Sequence, residues 1–219
     1  MASGWDLTPY IKEGDNVVAV WVNSSWEYRE RSSNSRYQWN DKNFNANYGG
    51  IPKNVWLHVT DKLYQTLPLY SNLKTTGVYV YGKDYDIAGK QVTVHAESQV
   101  RNEDDNPRTF TYRCTVFDKD NREVCRFEGR KHTLQAGETR VVDAEGRLDD
   151  AHFWSWGYGY LYTVKTALVA DNGIVMDENI MRTGFRKTRF AEGKVWLNDR
   201  VIMIHGYAQR TSNEWPGVG

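Results

Sequence analysis

The sequence has no excess of charge of either sign, because Lys and Arg together number 28, as do Asp and Glu. Proteins that bind nucleic acid usually carry a clustered basic surplus, so this balance predicts no nucleic-acid partner. Long apolar runs are also absent, and none approaches the roughly 20 residues that span a bilayer. The opening residues, MASGWDL, lack the basic and apolar segments of a signal peptide. No membrane partner is predicted, and localisation stays open: periplasmic or secreted if a signal precedes this chain, cytoplasmic otherwise.

Cysteine is scarce, with only two residues in 219. Cys114 and Cys125 flank a turn-like stretch at 118–121, and a symmetric hairpin would place them opposite one another. A cross-strand disulfide is one interpretation of this spacing. The favoured interpretation is two buried thiols packed beside Tyr112 and Phe127, because most unpaired cysteines are small core residues. The redox compartment therefore stays open.

Patterns that would hold a metal or a nucleotide are missing as well. The five histidines are scattered without ligand spacing. The acidic stretch at 118–123 lacks the glycine and glutamate of a calcium loop, so a hairpin turn is predicted there. No helix follows Gly157-Tyr158-Gly159 to present amide groups to a phosphate. The sequence thus predicts no cofactor and no metal.

The positive signal is a series of short alternating segments typical of antiparallel strands, for example QVTVHAESQV. Turn residues recur about every ten positions from Gly77 onward, and no helix of respectable length is indicated. This spacing predicts an immunoglobulin-like β-sandwich. The predicted strands are Val78–Tyr81, Lys90–Arg101, Arg108–Phe117, Glu123–Glu128, His132–Leu134, Thr139–Asp143, Tyr160–Val169 and Ile174–Phe185.

The two flanks of this series differ from it. Before it, Asn16–Val22 and Asn54–Thr60 read as two further strands, separated by a long polar loop that is rich in aromatics. After it, a tight turn at Asn198-Asp199 leads into Val201–His205, which is almost wholly apolar. A continuous apolar run is typical of a strand buried on both faces, as in a parallel barrel.

Four stretches, in order along the chain, carry a resemblance to a known family. They are GWDLTPYIKEGDNVVAVWV, NYGGIPKNVWLHV, FWSWGYGYLYTVKTALV and TGFRKTRFAEGKVWLNDRVIMIHGYAQR. Together they resemble glycoside hydrolase family 2, the group of β-galactosidases, β-glucuronidases and β-mannosidases. The resemblance covers nearly the whole chain.

The resemblance implies an all-β chain with a definite division into domains. Residues 1–60 would be the C-terminal part of a jelly-roll sugar-binding domain, and residues 61–76 a linker. Residues 77–185 would be the immunoglobulin-like β-sandwich. Residues 186–219 would be the entry segment and first strand of a (β/α)8 catalytic barrel.

The family implies a retaining exo-glycosidase whose acid/base and nucleophile glutamates lie at the ends of later barrel strands. Both positions would fall beyond Gly219, so no catalytic residue is predicted and the chain is expected to be inactive alone. Glu214 follows an Asn, as the family's acid/base does, but it lies in the first strand-to-helix loop. The predicted role is to position the barrel against the sugar-binding domain. The alternative is a free-standing carbohydrate-binding module or a structural interaction domain.

Substrate contacts are predicted in two places. Loops at the carboxyl ends of barrel strands line the pocket, and Arg210 stands where the family commonly has a His. A guanidinium binds carboxylate or sulfate in a forked geometry, which predicts an acidic or sulfated sugar; alternatively, Arg210 pairs with a neighbouring acid. The polar loop before Pro52 could reach the barrel mouth, or it could pack its aromatics on the sandwich. The predicted contacts are Gln209, Arg210, Asn213, Glu214, Trp39, Asp41, Asn45 and Asn47.

The predicted partners follow from the same assignment. The parent enzyme would bind a terminal β-linked sugar. The two ends of the chain are expected to expose apolar surface, which the rest of a glycosidase chain or self-association would cover.

Overall fold

A computed structural model describes residues 4–22, 50–51, 54–70 and 73–207. The chain divides into two compact units. The first comprises Met1–Asp6 with Val59–Ile204, and the second comprises Leu7–His58 with His205–Gly219. All the strands described below belong to the first unit.

Eight strands of the first unit form two antiparallel sheets. In one sheet, β3 pairs along one edge with β1 and β2 and along the other with β6; the second sheet has the order β5-β4-β7-β8. The chain crosses between the sheets after β3, after β5 and after β6, as in immunoglobulin-like sandwiches. The all-β prediction is confirmed. The strands are β1 Leu63–Gln65, β2 Val78–Asp86, β3 Gln91–Asn102, β4 Arg108–Phe117, β5 Glu123–Leu134, β6 Thr139–Leu148, β7 Tyr162–Val169 and β8 Val175–Thr183.

The alternating sequence explains why the two sheets pack face to face. Every second residue of β3 is buried, and β4 shows the same alternation over most of its length. Full burial of such side chains stabilises a fold by about 1.5–3 kcal/mol each. The core includes Val92, Val94, Ala96, Val100, Phe110, Tyr112, Cys114, Val116, Val164 and Leu168.

Strand β4 has its predicted bounds, β2 and β6 each extend five residues further than predicted, and β5 and β1 differ in kind. The predicted segments Glu123–Glu128 and His132–Leu134 form the single strand β5, which continues through Gly129. A Cβ on Gly129 would lie 2.3 Å from the carbonyl oxygen of Asp143, so the glycine permits close approach of β6 and does not end the strand. Strand β1 was not predicted, because three residues are too few to show an alternating pattern.

The cysteines are both free, as the favoured interpretation predicted. The symmetric pairing was wrong: Cys114 lies opposite Phe127 and Cys125 opposite Val116, with a register irregularity after Val116. The pairing is thus two residues away from the one that would bring the sulfurs together. Burial raises the pKa of Cys114 to about 12, which keeps this thiol protonated and unreactive.

A buried amide connects the two sheets. The Gln65 side chain accepts hydrogen bonds at Oε1 from Ser98 Oγ of the first sheet (3.2 Å) and Thr166 Oγ1 of the second (2.8 Å). Its Nε2 donates to the Thr166 carbonyl (3.4 Å) and to Asp177 Oδ2 (3.1 Å). The backbone N–H of Gln65 also donates to Asp177 Oδ2, at 2.9 Å. We call these four residues the inter-sheet clamp; it joins the short strand β1 to both layers.

The Asp177 carboxylate has an unusual position within the clamp. Burial raises its pKa above the ordinary value of 3.8, and the hydrogen bonds from Gln65 only partly oppose that rise. Asp177 is one carboxylate that accepts two hydrogen bonds, both from N–H groups of Gln65. Its raised pKa follows from its place between the sheets.

Three short strands follow the sandwich: β9 Thr188–Ala191, β10 Lys194–Leu197 and β11 Arg200–Ile202. They form an antiparallel sheet of their own. Both connections have two residues with positive φ, Glu192-Gly193 and Asn198-Asp199, as type I′ hairpin turns require. The predicted turn at Asn198-Asp199 is confirmed.

Only the first part of the apolar run after this turn is a strand among the described residues. Strand β11 ends at Ile202, and Met203 and Ile204 are 72% and 68% exposed. A parallel strand is buried only when neighbouring strands and helices cover both of its faces. Among the described residues, none covers Met203 or Ile204 in this way. The barrel strand therefore stays a prediction.

The described parts of residues 7–22 and 54–60 contain a single 3-10 turn, Thr8–Tyr10, and no strand. The predicted strands Asn16–Val22 and Asn54–Thr60 were therefore wrong, because β-prone residues form a strand only with a hydrogen-bonding partner. Val17, Trp21 and Trp56 are 93%, 85% and 73% exposed, in line with the expected apolar surface. Across the described ranges, no helix has the length and apolarity to cross a membrane.

Replacing Gln65 with Leu is expected to lower the free energy of unfolding by about 3 kcal/mol, because the Ser98 and Thr166 hydroxyls lose their buried acceptor and Asp177 loses one of its two donors. Urea unfolding followed by circular dichroism measures this. The matched control is Gln135→Leu at an exposed position, which is expected to change stability by less than about 0.5 kcal/mol. Equal effects of the two substitutions would contradict the clamp.

The raised pKa of Asp177 predicts a specific pH dependence. Between its ordinary pKa of 3.8 and its raised pKa, the folded state holds a proton that the unfolded state has released, so this group's contribution to stability grows as the pH falls through that window and is lost as the pH rises. Asp177→Asn removes the titration. The stability of the parent protein relative to this variant should therefore increase between pH 7 and pH 4 in paired denaturation curves. A constant or decreasing difference would show that the pKa is not raised.

Candidate functional site at the exit from the sandwich

The eight predicted substrate contacts all lie outside the described residues. They stay predictions. They are Gln209, Arg210, Asn213, Glu214, Trp39, Asp41, Asn45 and Asn47.

The described residues instead show a well-ordered junction where the chain leaves the sandwich. The backbone N–H of Trp154 donates to the carbonyl of Phe185 at 2.8 Å. The Arg186 guanidinium lies over the Trp154 ring, 5.0 Å from its centroid. A Cβ on Gly184 would lie 2.9 Å from Trp154 Cβ, so a glycine is needed for this close approach. The loop before β7 and the segment after β8 are thus packed tightly together.

Asn198 attaches the following hairpin to this junction. Its Nδ2 donates to the Trp154 carbonyl at 3.0 Å, and its Oδ1 accepts the Lys187 backbone N–H at 3.0 Å. Its own N–H donates to the Lys187 carbonyl at 2.9 Å. Lys187 Nζ also lies 2.8 Å from Asp199 Oδ1. One side chain in a hairpin turn therefore fixes β10 and β11 to two separate segments of the sandwich end.

An aromatic cluster supports the junction from the sandwich side. The His152 ring stacks on Tyr160 with centroids 4.6 Å apart, and its Nδ1 lies 2.9 Å from the Tyr158 hydroxyl. The Tyr162 hydroxyl accepts the backbone N–H of His152 at 2.7 Å, and its ring contacts Phe185 at 5.5 Å. Burial raises the pKa of Tyr162 to about 12, so this hydroxyl stays protonated. The cluster orders the 152–160 loop, which carries Trp154.

The chemistry of the described carboxylates does not favour acid/base catalysis. A general acid needs a raised pKa and a place beside the substrate. The pKa values of Asp104, Asp118 and Glu138 are lowered by hydrogen bonds from Arg108, from the Arg122 backbone and from the Gln135 backbone. Asp177, whose pKa is raised, is held inside the clamp. What the described residues build is the packed junction between the sandwich and the three-stranded sheet.

Asp118 illustrates the acidic stretch that resembles a calcium loop. Its Oδ1 accepts the backbone N–H groups of Asp120 and Arg122, both at 2.9 Å, which closes the β4–β5 turn. The hairpin turn predicted there is confirmed. Across the described part of the chain, no three His, Cys, Asp or Glu side chains are grouped as a metal site would require.

The junction residues were not predicted as functional from the sequence. The Asn198-Asp199 turn was recognised, but only as a turn. The sequence offered one signal, the choice of Asn over Gly at turn position 198. Asn tolerates the positive φ that such a turn requires, and it adds a side-chain amide that can form hydrogen bonds. Its contacts with Trp154 and Lys187 depend on tertiary structure and leave no local pattern.

Comparison with known proteins places this fold in a family. The model for glycosyl hydrolases family 2 matches residues 77–186. A β-glucuronidase from Formosa agariphila is 32% identical over 220 residues, which is 99% of this chain and 22% of that protein. A β-galactosidase from Oenococcus oeni is 26% identical over 208 residues, covering 92% of this chain and 18% of that protein.

Solved structures give the same result. A β-glucuronidase from glycoside hydrolase family 2 has a TM-score of 0.84 at 30% identity, covering 99% of this chain and 22% of that one. A family 2 member from Bacteroides cellulosilyticus has a TM-score of 0.55 at 26% identity, over 65% of this chain and 18% of that one. The chain spans about a fifth of the length of these relatives. It belongs to glycoside hydrolase family 2.

Proposed function

We propose that this chain is a non-catalytic portion of a family 2 exo-glycosidase, in which the sandwich positions a catalytic (β/α)8 barrel against a sugar-binding domain. The observation that carries the proposal is the Asn198 junction, which fixes the segment after the sandwich by three hydrogen bonds. A spacer can orient a catalytic domain only if its exit is rigid. The short span relative to the matched glycosidases supports the same role.

The proposed domain layout assigns residues 1–60 to a jelly-roll domain and 61–76 to a linker. Residues 77–185 are the sandwich, and 186–219 are the entry to the barrel. Strand β1 falls within the proposed linker and joins the sandwich sheet. In the complete enzyme, two glutamates outside these residues would hydrolyse a terminal β-linked sugar with retention.

The proposed substrate is an acidic sugar. Arg210 would bind its carboxylate, and Gln209, Asn213 and Glu214 would line the same pocket. Trp39, Asp41, Asn45 and Asn47 would reach this pocket from the polar loop. The β-glucuronidase names of two matched relatives support this choice, whereas the β-galactosidase names favour a neutral sugar.

The purified chain of 219 residues is expected to hydrolyse neither nitrophenyl β-glucuronide nor nitrophenyl β-galactoside above the buffer rate, because the proposed glutamates lie outside it. A catalytic rate that increases with protein concentration, and that Glu214→Gln abolishes, would overturn the proposal. A rate that Glu214→Gln leaves unchanged would place another catalytic group within the chain, and it would overturn the proposal equally.

In the complete enzyme, Arg210→Ala is expected to lower kcat/KM for a β-glucuronide by tenfold to a hundredfold, about the value of a charge-assisted hydrogen bond. The effect on a β-galactoside should be much smaller. Equal losses on both substrates would show that Arg210 maintains the loop instead of binding a carboxylate.

The junction is tested in the 219-residue chain by amide hydrogen exchange. Asn198→Ala removes the side-chain bonds to Trp154 and Lys187 and leaves Ala, which tolerates positive φ less well than Asn, at φ +50°. Exchange of residues 188–202 should accelerate by tenfold or more, while strands β3, β4 and β7 stay protected. Asn198→Gly relieves the backbone but also lacks the amide, so it should retain most of the acceleration. If Asn198→Gly exchanges like the parent, the hydrogen bonds do not hold the junction.

A further inference from the structure

The outer face of the β2-β3-β6 sheet carries an arrangement that the proposed function does not use. The pairing register sets three rows of side chains across the strands on the face opposite the core. We call these nine residues the outer face. The rows are Tyr79, Glu97 and Asp143; Tyr81, His95 and Glu145; and Lys83, Thr93 and Arg147.

Three rings of the outer face form a series in which Tyr81 contacts the other two. Tyr79 and Tyr81 have centroids 5.0 Å apart, and Tyr81 and His95 are also 5.0 Å apart. Tyr79 ends this series and is 61% exposed, so one side of its ring contacts Tyr81 and the rest of it faces solvent. An exposed ring of this kind is a flat apolar surface with a polar tip.

The polar groups around the rings are fixed by one another. The Tyr81 hydroxyl donates to Glu97 Oε1 at 3.0 Å. His95 Nε2 lies 3.4 Å from Glu97 Oε1, and its Nδ1 lies 3.2 Å from Glu145 Oε2. Lys83 Nζ lies 2.5 Å from Glu145 Oε2. Both glutamates keep an oxygen outside these contacts and remain partly exposed, which leaves preorganised acceptors beside the exposed ring.

The charges of the outer face select the kind of ligand. A flat protein surface would bury the carboxylates of Glu97, Asp143 and Glu145 without partners for their remaining oxygens, at a high desolvation cost. An acidic saccharide would meet these carboxylates, and both cations of the outer face are already paired, Lys83 with Glu145 and Arg147 with Asp149. A neutral saccharide offers hydroxyl donors to carboxylate acceptors and a C–H face to the Tyr79 ring, and both kinds of contact are favourable.

We propose that the outer face binds a neutral oligosaccharide, with Tyr79 as the stacking surface and Glu97 and Glu145 as hydrogen-bond acceptors. This would be a carbohydrate contact on the sandwich itself, away from the junction residues. It would hold an extended chain beside the enzyme without cleaving it.

Isothermal titration of the 219-residue chain tests the proposal, with cellohexaose and xylohexaose as neutral probes and hexagalacturonate as the acidic probe. At least one neutral probe should bind saturably and more tightly than the acidic one. Tyr79→Ala should weaken that binding at least tenfold, and Glu97→Gln should weaken it severalfold. Tyr79 is mostly exposed, and an unchanged urea midpoint confirms that this variant folds.

Trp156→Ala is the matched control, because Trp156 is an exposed aromatic on the 152–160 loop. It should leave binding unchanged. Absence of binding for both neutral probes, tighter binding of hexagalacturonate, or loss of binding in Trp156→Ala instead of Tyr79→Ala would each overturn the proposal. None of these outcomes depends on the hydrolysis or exchange experiments, so failure here is distinguishable from failure of the proposed function.

Discussion

The inter-sheet clamp is the constraint on which the rest of the structure depends. A sandwich core of valine, leucine and aromatic side chains holds two sheets together, but apolar contact alone specifies their relative position weakly. Gln65 adds direction, because its amide bonds Ser98 of one sheet and Thr166 and Asp177 of the other. A buried polar network stabilises one arrangement only when its members are paired, and this amide is bonded through both its oxygen and its nitrogen. The clamp therefore holds β1 and β3 of one sheet in a fixed position relative to β7 and β8 of the other.

The segment that leaves the sandwich after β8 is attached to strands that the clamp holds in place. Strands β7 and β8 belong to the clamped sheet, and the segment after β8 contacts Trp154 through Phe185 and Arg186. Asn198 then joins the three-stranded sheet to the same place. Because these contacts hold the segment after the sandwich, they determine the direction in which the chain leaves it. This is the physical content of a positioning role in a family 2 glycosidase.

The sequence predicted most of the sandwich, because alternation and turn residues are local properties. The bounds of β4 were predicted as observed, and those of β3 and β7 to within two residues. Predictions were wrong where a distant partner decides the structure: Asn16–Val22 has strong β propensity but pairs with no strand among the described residues. The pairing of Cys125 with Val116 depended on a register irregularity that has no sequence signature. For the same reason the Asn198 junction and the clamp could not be predicted, since Gln65 and Asp177 are 112 residues apart.

The predicted substrate contacts depend on the family resemblance and not on local pattern, and they lie outside the described residues. The outer face was not predicted at all, because Tyr79, His95 and Glu145 meet only through the pairing of three strands. What the sequence could indicate was the family, and from it the kind of enzyme. The residues of the clamp and the junction could be identified only from the strand pairing and the turns in the structure.

The central claim is that β9–β11 move with the sandwich as one body. Backbone ¹⁵N relaxation of the 219-residue chain tests it most directly, by comparing order parameters of residues 188–202 with those of β3, β4 and β7. The account predicts the same values in both regions, about 0.85, as for rigid backbone. Order parameters below about 0.6 across 188–202, with the sandwich still rigid, would contradict it.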